Sequence, residues 1–282
     1  LRLGINVLRA ALVYHVCGLG QQARVGKNAW LTGGLATVLL IAEPIQGNTS
    51  AMEIPALLLF VLAMRLVTKI CCNGHSKARV LPGQPAPDLP RSSGEGPLPQ
   101  NLVLPVLAGV LSGFAVLLKP TTAVAGLPAL ILLCRNDLVR RLIGMAVGMG
   151  AALGMVLSWC LTKGIVSDWF FVMAVYNPSY SRGTPHWEYL SGVVPPRLLF
   201  LSPFLLLAVV GFLEQKKSDM PNRLWLPIWL IGAVAAVCIG WRFYPHYFLL
   251  LAPPMALAGS HAVTTTTLLP CGCPRTRSVW IW

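Results

Sequence analysis

The amino-acid sequence predicts an all-α fold: a polytopic transmembrane bundle of about eight or nine membrane segments with one extracytoplasmic, aromatic-rich loop. Three observations predict it. Hydrophobic residues fill 55% of the 282 positions and charged residues only 11%, where a soluble domain carries roughly 25% charge. The mean hydropathy is +0.67, whereas a soluble protein of this length still needs a polar surface. The apolar residues fall into runs close to the roughly 20 that cross a bilayer, and the basic residues fall between those runs.

Taken in order, the segments are 4–20, 29–45, 53–71, 101–118, 121–134, 142–162, 197–213 and 224–241, with a ninth at 245–263. The stretch "RFYPH" makes a tight turn before the ninth. Segment 121–134 is short, so it tilts, re-enters or extends into its neighbours. If the 21–28 loop is cytoplasmic, then 72–100, 135–141, 214–223 and the C-terminus are cytoplasmic too. Those regions and the adjoining helix ends hold 15 of the 22 basic residues, against 7 on the other face. That is the asymmetry the positive-inside rule expects. The opposite face then receives 42–53, 118–122, 163–196 and 241–247.

Residues 1–263 therefore read as one transmembrane region. Within it, 73–100 is a cytoplasmic linker rich in Pro, Gly and Ser, and 163–196 is an extracytoplasmic loop. Residues 264–282 read as an irregular tail. The formal charge of +13 would suggest nucleic acid in a soluble protein. Here the cations form no patch interleaved with aromatics, and nucleic-acid binding is excluded on that ground. The eight cysteines are scattered, with no pair of CxxC motifs, so neither a zinc module nor a disulfide framework is expected. No metal-ligating residue is assigned. No long internal repeat is visible, which weighs against a transporter built from repeated halves.

Four stretches carry polar residues that apolar helices do not need. Glu53 opens the helix in "GNTSAMEIPALLLFVLAMRL". A capping box with Ser50 accounts for it locally; the other reading is a carboxylate facing a site. Lys119 stands between two apolar segments beside the helix-breaking Pro120. It either snorkels to the interface or meets an anion. The 163–196 loop carries Trp169, Phe170, Phe171, Tyr176, Tyr180, Trp187 and Tyr189 with Asp168, Asn177, His186 and Glu188. The rings suit an interfacial belt, and rings with polar groups also suit a carbohydrate. Arg242, Tyr244, His246 and Tyr247 stand at a helix start, with Pro245 in its first turn. Cations and a helix N-terminus converge there, which favours a phosphate over a plain interfacial anchor.

Three of these stretches, those around Glu53, Lys119 and Arg242, are similar to the GT-C glycosyltransferases of the protein O-mannosyltransferase and aminoarabinose-transferase type, in the bacterial branch described as RgtA/B/C/D-like. "GNTSAMEIPALLLFVLAMRL" resembles that family's acidic helix start. "GVLSGFAVLLKPTTAVAGLPALILL" resembles its Lys-Pro-Thr step, and "WRFYPHYFLLLAPPMALAG" its Arg…His-Tyr…Pro-Pro ending. The resemblance spans roughly residues 5–260. It implies a multi-pass enzyme of the bacterial inner membrane. Such an enzyme moves a sugar from a polyprenyl-phosphate donor to an extracytoplasmic glycan, lipid or protein. Lys119, Arg242, His246 and Tyr247 would bind the donor phosphate, Asp168, Tyr176 and Asn177 the sugar or acceptor, and Glu53 would support catalysis. Membrane lipids are the other expected partners, and no cofactor is implied with certainty. The family's acidic motif after a first helix does not occur before Glu43, so the resemblance implies a gene extending upstream, with this chain an N-terminally truncated piece. The competing class is a transporter or flippase for a lipid-linked or phosphorylated sugar.

Overall fold

A computed structural model describes residues 2–23, 29–41, 53–76, 100–134, 138–176, 179, 187–215, 224–239 and 243–266. Among the described residues the fold is all-helical. In chain order the helices are α1 (Arg2–Gln22), α2 (Ala29–Ile41), α3 (Glu53–Ser76), α4 (Gln100–Leu118), α5 (Thr121–Leu133), α6 (Leu138–Thr162), α7 (Val166–Phe170), α8 (Trp187–Gln215), α9 (Trp225–Cys238) and α10 (Ala252–Thr266). A π-helical stretch (Phe171–Tyr176) continues α7, and a 3-10 helix (Pro245–Leu251) leads into α10. Each of the nine apolar segments is helical over its described residues, except for Cys134 and Leu224, which are turn residues at segment ends.

The helices form a continuous row. α8 lies on α10, α10 on α2, α2 on α1, α1 on α3, α3 on α4, and α4 on α6. α5 and α9 pair with one another, and both α3 and α9 meet the 3-10 helix. The core follows helical periodicity: Ile54, Leu57, Phe60, Val61, Met64 and Val67 of α3 are all buried. Phe60 meets Trp229 of α9 at 6.0 Å between ring centroids, and Trp225 meets Trp229 at the same distance.

Small residues set the closest crossings. A Cβ on Gly109 of α4 would strike the Met145 carbonyl of α6, and one on Gly148 would strike the Val106 carbonyl. Gly109 and Gly113 on one side, with Gly144 and Gly148 on the other, repeat every fourth residue. That spacing lets two membrane helices bring their backbones together.

Among the described residues, three helices are long and apolar enough to cross a membrane: Leu138–Thr162 (25 residues), Leu190–Gln215 (26) and His246–Thr264 (19). Val139, Ile143 and Val147 on α6, and Leu199, Leu206 and Val209 on α8, are exposed. Apolar outer faces of that extent suit lipid. Leu251–Ala262, in contrast, is buried throughout by neighbouring helices.

Two differences from the sequence expectation concern 163–196. It is not a loop throughout: α7 and the π-helical stretch occupy 166–176, and α8 begins at Trp187, ten residues before the expected start at 197. Pro195, Pro196 and Pro203 all lie inside α8. Prolines persist in membrane helices where other donors serve the backbone, and here Ser202 Oγ donates at 2.8 Å to the Leu199 carbonyl, which lacks the N–H that Pro203 cannot give. The linker 73–100 falls mostly outside the described residues; of the expected irregular tail 264–282, residues 264–266 instead continue α10, and 267–282 lie outside the described residues.

Candidate functional site

The first residue of α3 is the acidic one. Glu53 gains there from the positive end of the helix dipole, yet its side chain is only 4% exposed. Ser50, its expected capping partner, lies outside the described residues.

Lys119 is held by the break between α4 and α5. Its N–H closes α4 on the Ala115 carbonyl at 2.9 Å. Its own carbonyl accepts from the Thr122 N–H at 2.9 Å and from Thr122 Oγ1 at 2.7 Å. Pro120 begins the next helix with φ −56°, where a missing N–H costs nothing. The backbone at Lys119 is thus tied on both sides, and its ammonium points back to α3.

The third element is the turn before α10. Phe243 adopts a φ of 45°, a left-handed conformation that costs a non-glycine residue roughly 1–2 kcal/mol. Its ring is buried in the core, and burial of a Phe returns about 1.5–3 kcal/mol. Pro245 stands first in the following helix, as expected, but that helix is 3-10. The reason lies ahead of it: Pro253 and Pro254 have no N–H to give Leu249 and Leu250 in a continuous α-helix. The α-helix therefore restarts at Ala252, whose N–H bonds to Leu249 three residues back.

These three elements bring four expected site residues together. Lys119 Nζ lies 2.7 Å from Glu53 Oε1, and His246 Nε2 lies 3.5 Å from the same oxygen. The ammonium also sits 4.4 Å from the centre of the Tyr247 ring, within cation–π range. The His246 imidazole stacks on Tyr244 at 5.4 Å and meets the edge of Tyr247 at 4.7 Å. Glu53 Oε2 is buried with no hydrogen-bond partner among the described residues.

Chemically, the cluster holds one carboxylate between an ammonium and an imidazole. The Lys119 contact is a charge-assisted hydrogen bond; at 3.5 Å the imidazole stands just beyond ordinary hydrogen-bond length. The snorkelling reading of Lys119 gives way to an internal ion pair. Nothing in the local sequence announces that pair, since its partners stand 66 residues apart.

The other expected site residues lie elsewhere. Asp168 is exposed in α7, and Tyr176 is half exposed at the end of the π-helical stretch. The main neighbour of α7 outside its own continuation is α6. Arg242 and Asn177 lie outside the described residues. Among the described residues no three His, Cys, Asp or Glu side chains gather to hold a metal ion.

No protein-family model matches this sequence, and neither a curated protein nor a solved structure matches it.

Proposed function

We propose that the chain is the membrane region of a glycosyltransferase that takes its sugar from a polyprenyl-phosphate donor. The observation that carries this reading is the convergence on one carboxylate of three stretches far apart in sequence. Each resembles a stretch of one enzyme class, and together they bring Glu53, Lys119 and His246 with Tyr247 to one place. In the full bundle, eight or nine segments cross the inner membrane of a bacterium, and the cluster faces away from the cytoplasm.

The reaction has two electrostatic demands. An acceptor hydroxyl attacks the anomeric carbon, the bond from that carbon to the phosphate oxygen breaks, and polyprenyl phosphate leaves with the electron pair. The acceptor's proton must go to a base, and the charge growing on the phosphate must be met by cations. Lys119, His246 and Arg242 serve the second demand, and Tyr247 steadies the ammonium. Glu53 holds Lys119 in place and is the carboxylate of the cluster that can take the acceptor's proton. Asp168, Tyr176 and Asn177 would meet the sugar or acceptor on the exposed side.

The test uses full-length protein with a radiolabelled polyprenyl-phosphate sugar at subsaturating concentration. Release of polyprenyl phosphate with label in an acceptor is the expected result. Lys119→Ala, Arg242→Ala and His246→Ala should each weaken donor use at least tenfold, the value of a charged hydrogen bond to phosphate. Movement of the intact donor between leaflets without bond cleavage would identify a transporter instead. Parent rates in all three variants would return the cluster to a structural role.

A further inference from the structure

A second polar cluster occupies the α1–α3 interface. Arg65 lies 12 residues along α3, about 18 Å from the Glu53 end at 1.5 Å per residue. Its Nη1 stands 2.6 Å from His15 Nδ1 of α1. A guanidinium can only donate, so Nδ1 is the acceptor and the ring proton sits on Nε2. The face of Tyr14 lies 5.8 Å from Arg65 Cζ. A Cβ on Gly18 would collide with the guanidinium, so this flat group rests directly on the α1 backbone. Tyr14, His15 and Gly18 together make a slot that fixes its plane.

The slot contains a full positive charge and no negative one. Among the described residues no carboxylate pairs with Arg65. His15 takes one of five donors, and no nitrogen of Arg65 is buried without a partner, so the remaining N–H groups reach the surface. Lys69, one turn further along the same face of α3, is exposed, and so is Tyr14.

We propose that this slot binds the phosphate of an anionic lipid headgroup, in the leaflet opposite Glu53. The guanidinium fork matches a phosphate bidentately, and a pre-set plane lowers the ordering cost of that match. The proposal takes α3 as crossing the bilayer from its Glu53 end; Lys69, about 24 Å along it, then nears the far headgroups of a roughly 30 Å hydrocarbon layer, where a lysine attracts anionic lipid. The site is separate from the Glu53 cluster and does not depend on its function.

The test reconstitutes the full chain in phosphatidylcholine nanodiscs and measures retention of added phosphatidylglycerol by native mass spectrometry. Phosphatidylcholine of matched tails is the comparison, and millimolar inorganic phosphate the competitor. Retention of phosphatidylglycerol should exceed that of phosphatidylcholine, weaken about tenfold or more in Arg65→Gln and a few fold in Lys69→Gln, and resist inorganic phosphate. His15→Gln, which keeps an acceptor for Arg65, should retain most of it. Equal retention of both lipids, or unchanged retention in Arg65→Gln and Lys69→Gln, overturns the proposal. Displacement by inorganic phosphate overturns the lipid as its source and leaves a site for a free anion. Should Arg65→Gln fail to fold, the exposed Lys69→Gln and the lipid preference of the parent decide the matter.

Discussion

The Glu53 cluster and the 166–176 segment were both expected to face a substrate, and the fold treats them in opposite ways. At Glu53, three junctions between apolar helices meet, and their polar side chains are enclosed and paired. In 166–176, Asp168 and the rings of Phe170, Phe171 and Tyr176 point outward from a short helix and its π-helical continuation. A charge beside a break between apolar helices has little choice of surroundings, because the helices on both sides fix where it stands. An aromatic-rich connector has no such constraint, and its composition alone suits an interface, a ligand or a partner equally well.

The sharpest way to break this comparison is to remove one half of the ion pair. Lys119→Ala strands the Glu53 carboxylate in a mostly buried position, and loss of one partner of such a pair costs roughly 3–5 kcal/mol. Chemical unfolding of the purified protein should register that loss. The double variant Glu53→Gln with Lys119→Met should recover a large part of it, because no lone charge remains. Equal losses in the single and double variants would mean that the pair contributes nothing as a pair.

Next in size is the catalytic contrast. Glu53→Gln in a full-length protein should lower sugar transfer by at least tenfold, since it loosens Lys119 as well as removing a carboxylate. Asp168→Asn, which removes one contact to the sugar or acceptor from exposed α7, should cost less than Glu53→Gln and show in KM rather than in kcat. A reversed order would move the chemistry to the α7 side. Tyr247→Ala should then reduce stability by about 0.5–2 kcal/mol through the lost cation–π contact, with Tyr247→Phe near the parent, because a phenyl face serves the ammonium too. The smallest effect is expected at Phe171→Ala. An exposed ring there should change unfolding in detergent by less than about 0.5 kcal/mol, and a larger change would mean that the π-helical stretch packs more firmly than its exposure implies.

The helical segments were legible because apolar runs bounded by charges leave a membrane chain few alternatives. The site was legible in part, and for the same reason: Glu53, Lys119 and His246 each interrupt such a run. What could not be read was pairing. The Glu53–Lys119 bond and the Arg65–His15 contact join residues 66 and 50 positions apart, beyond the reach of any local pattern. The early start of α8 was hidden by Pro195 and Pro196, which local rules treat as helix breakers. The α4–α6 crossing did leave a signal, in the glycines at 109, 113, 144 and 148, and their fourfold spacing passed unread.

The distance in sequence between Glu53 and Lys119 also sets an order of events during synthesis. At about 5–20 residues per second, the 66 residues between them take roughly 3–13 s to emerge. Throughout that interval α3 has its carboxylate and no ammonium. The newly made helix end must therefore stay wet, since a carboxylate withdrawn from water without a counter-charge is strongly disfavoured. When α4 and α5 arrive, Lys119 relieves that constraint, and the start of α3 can sink against its neighbours. His246 joins only after α9 has been made. The cluster is thus a late product of biogenesis, and the ion pair acts as a latch that closes on α3 only after the second pair of helices is in place.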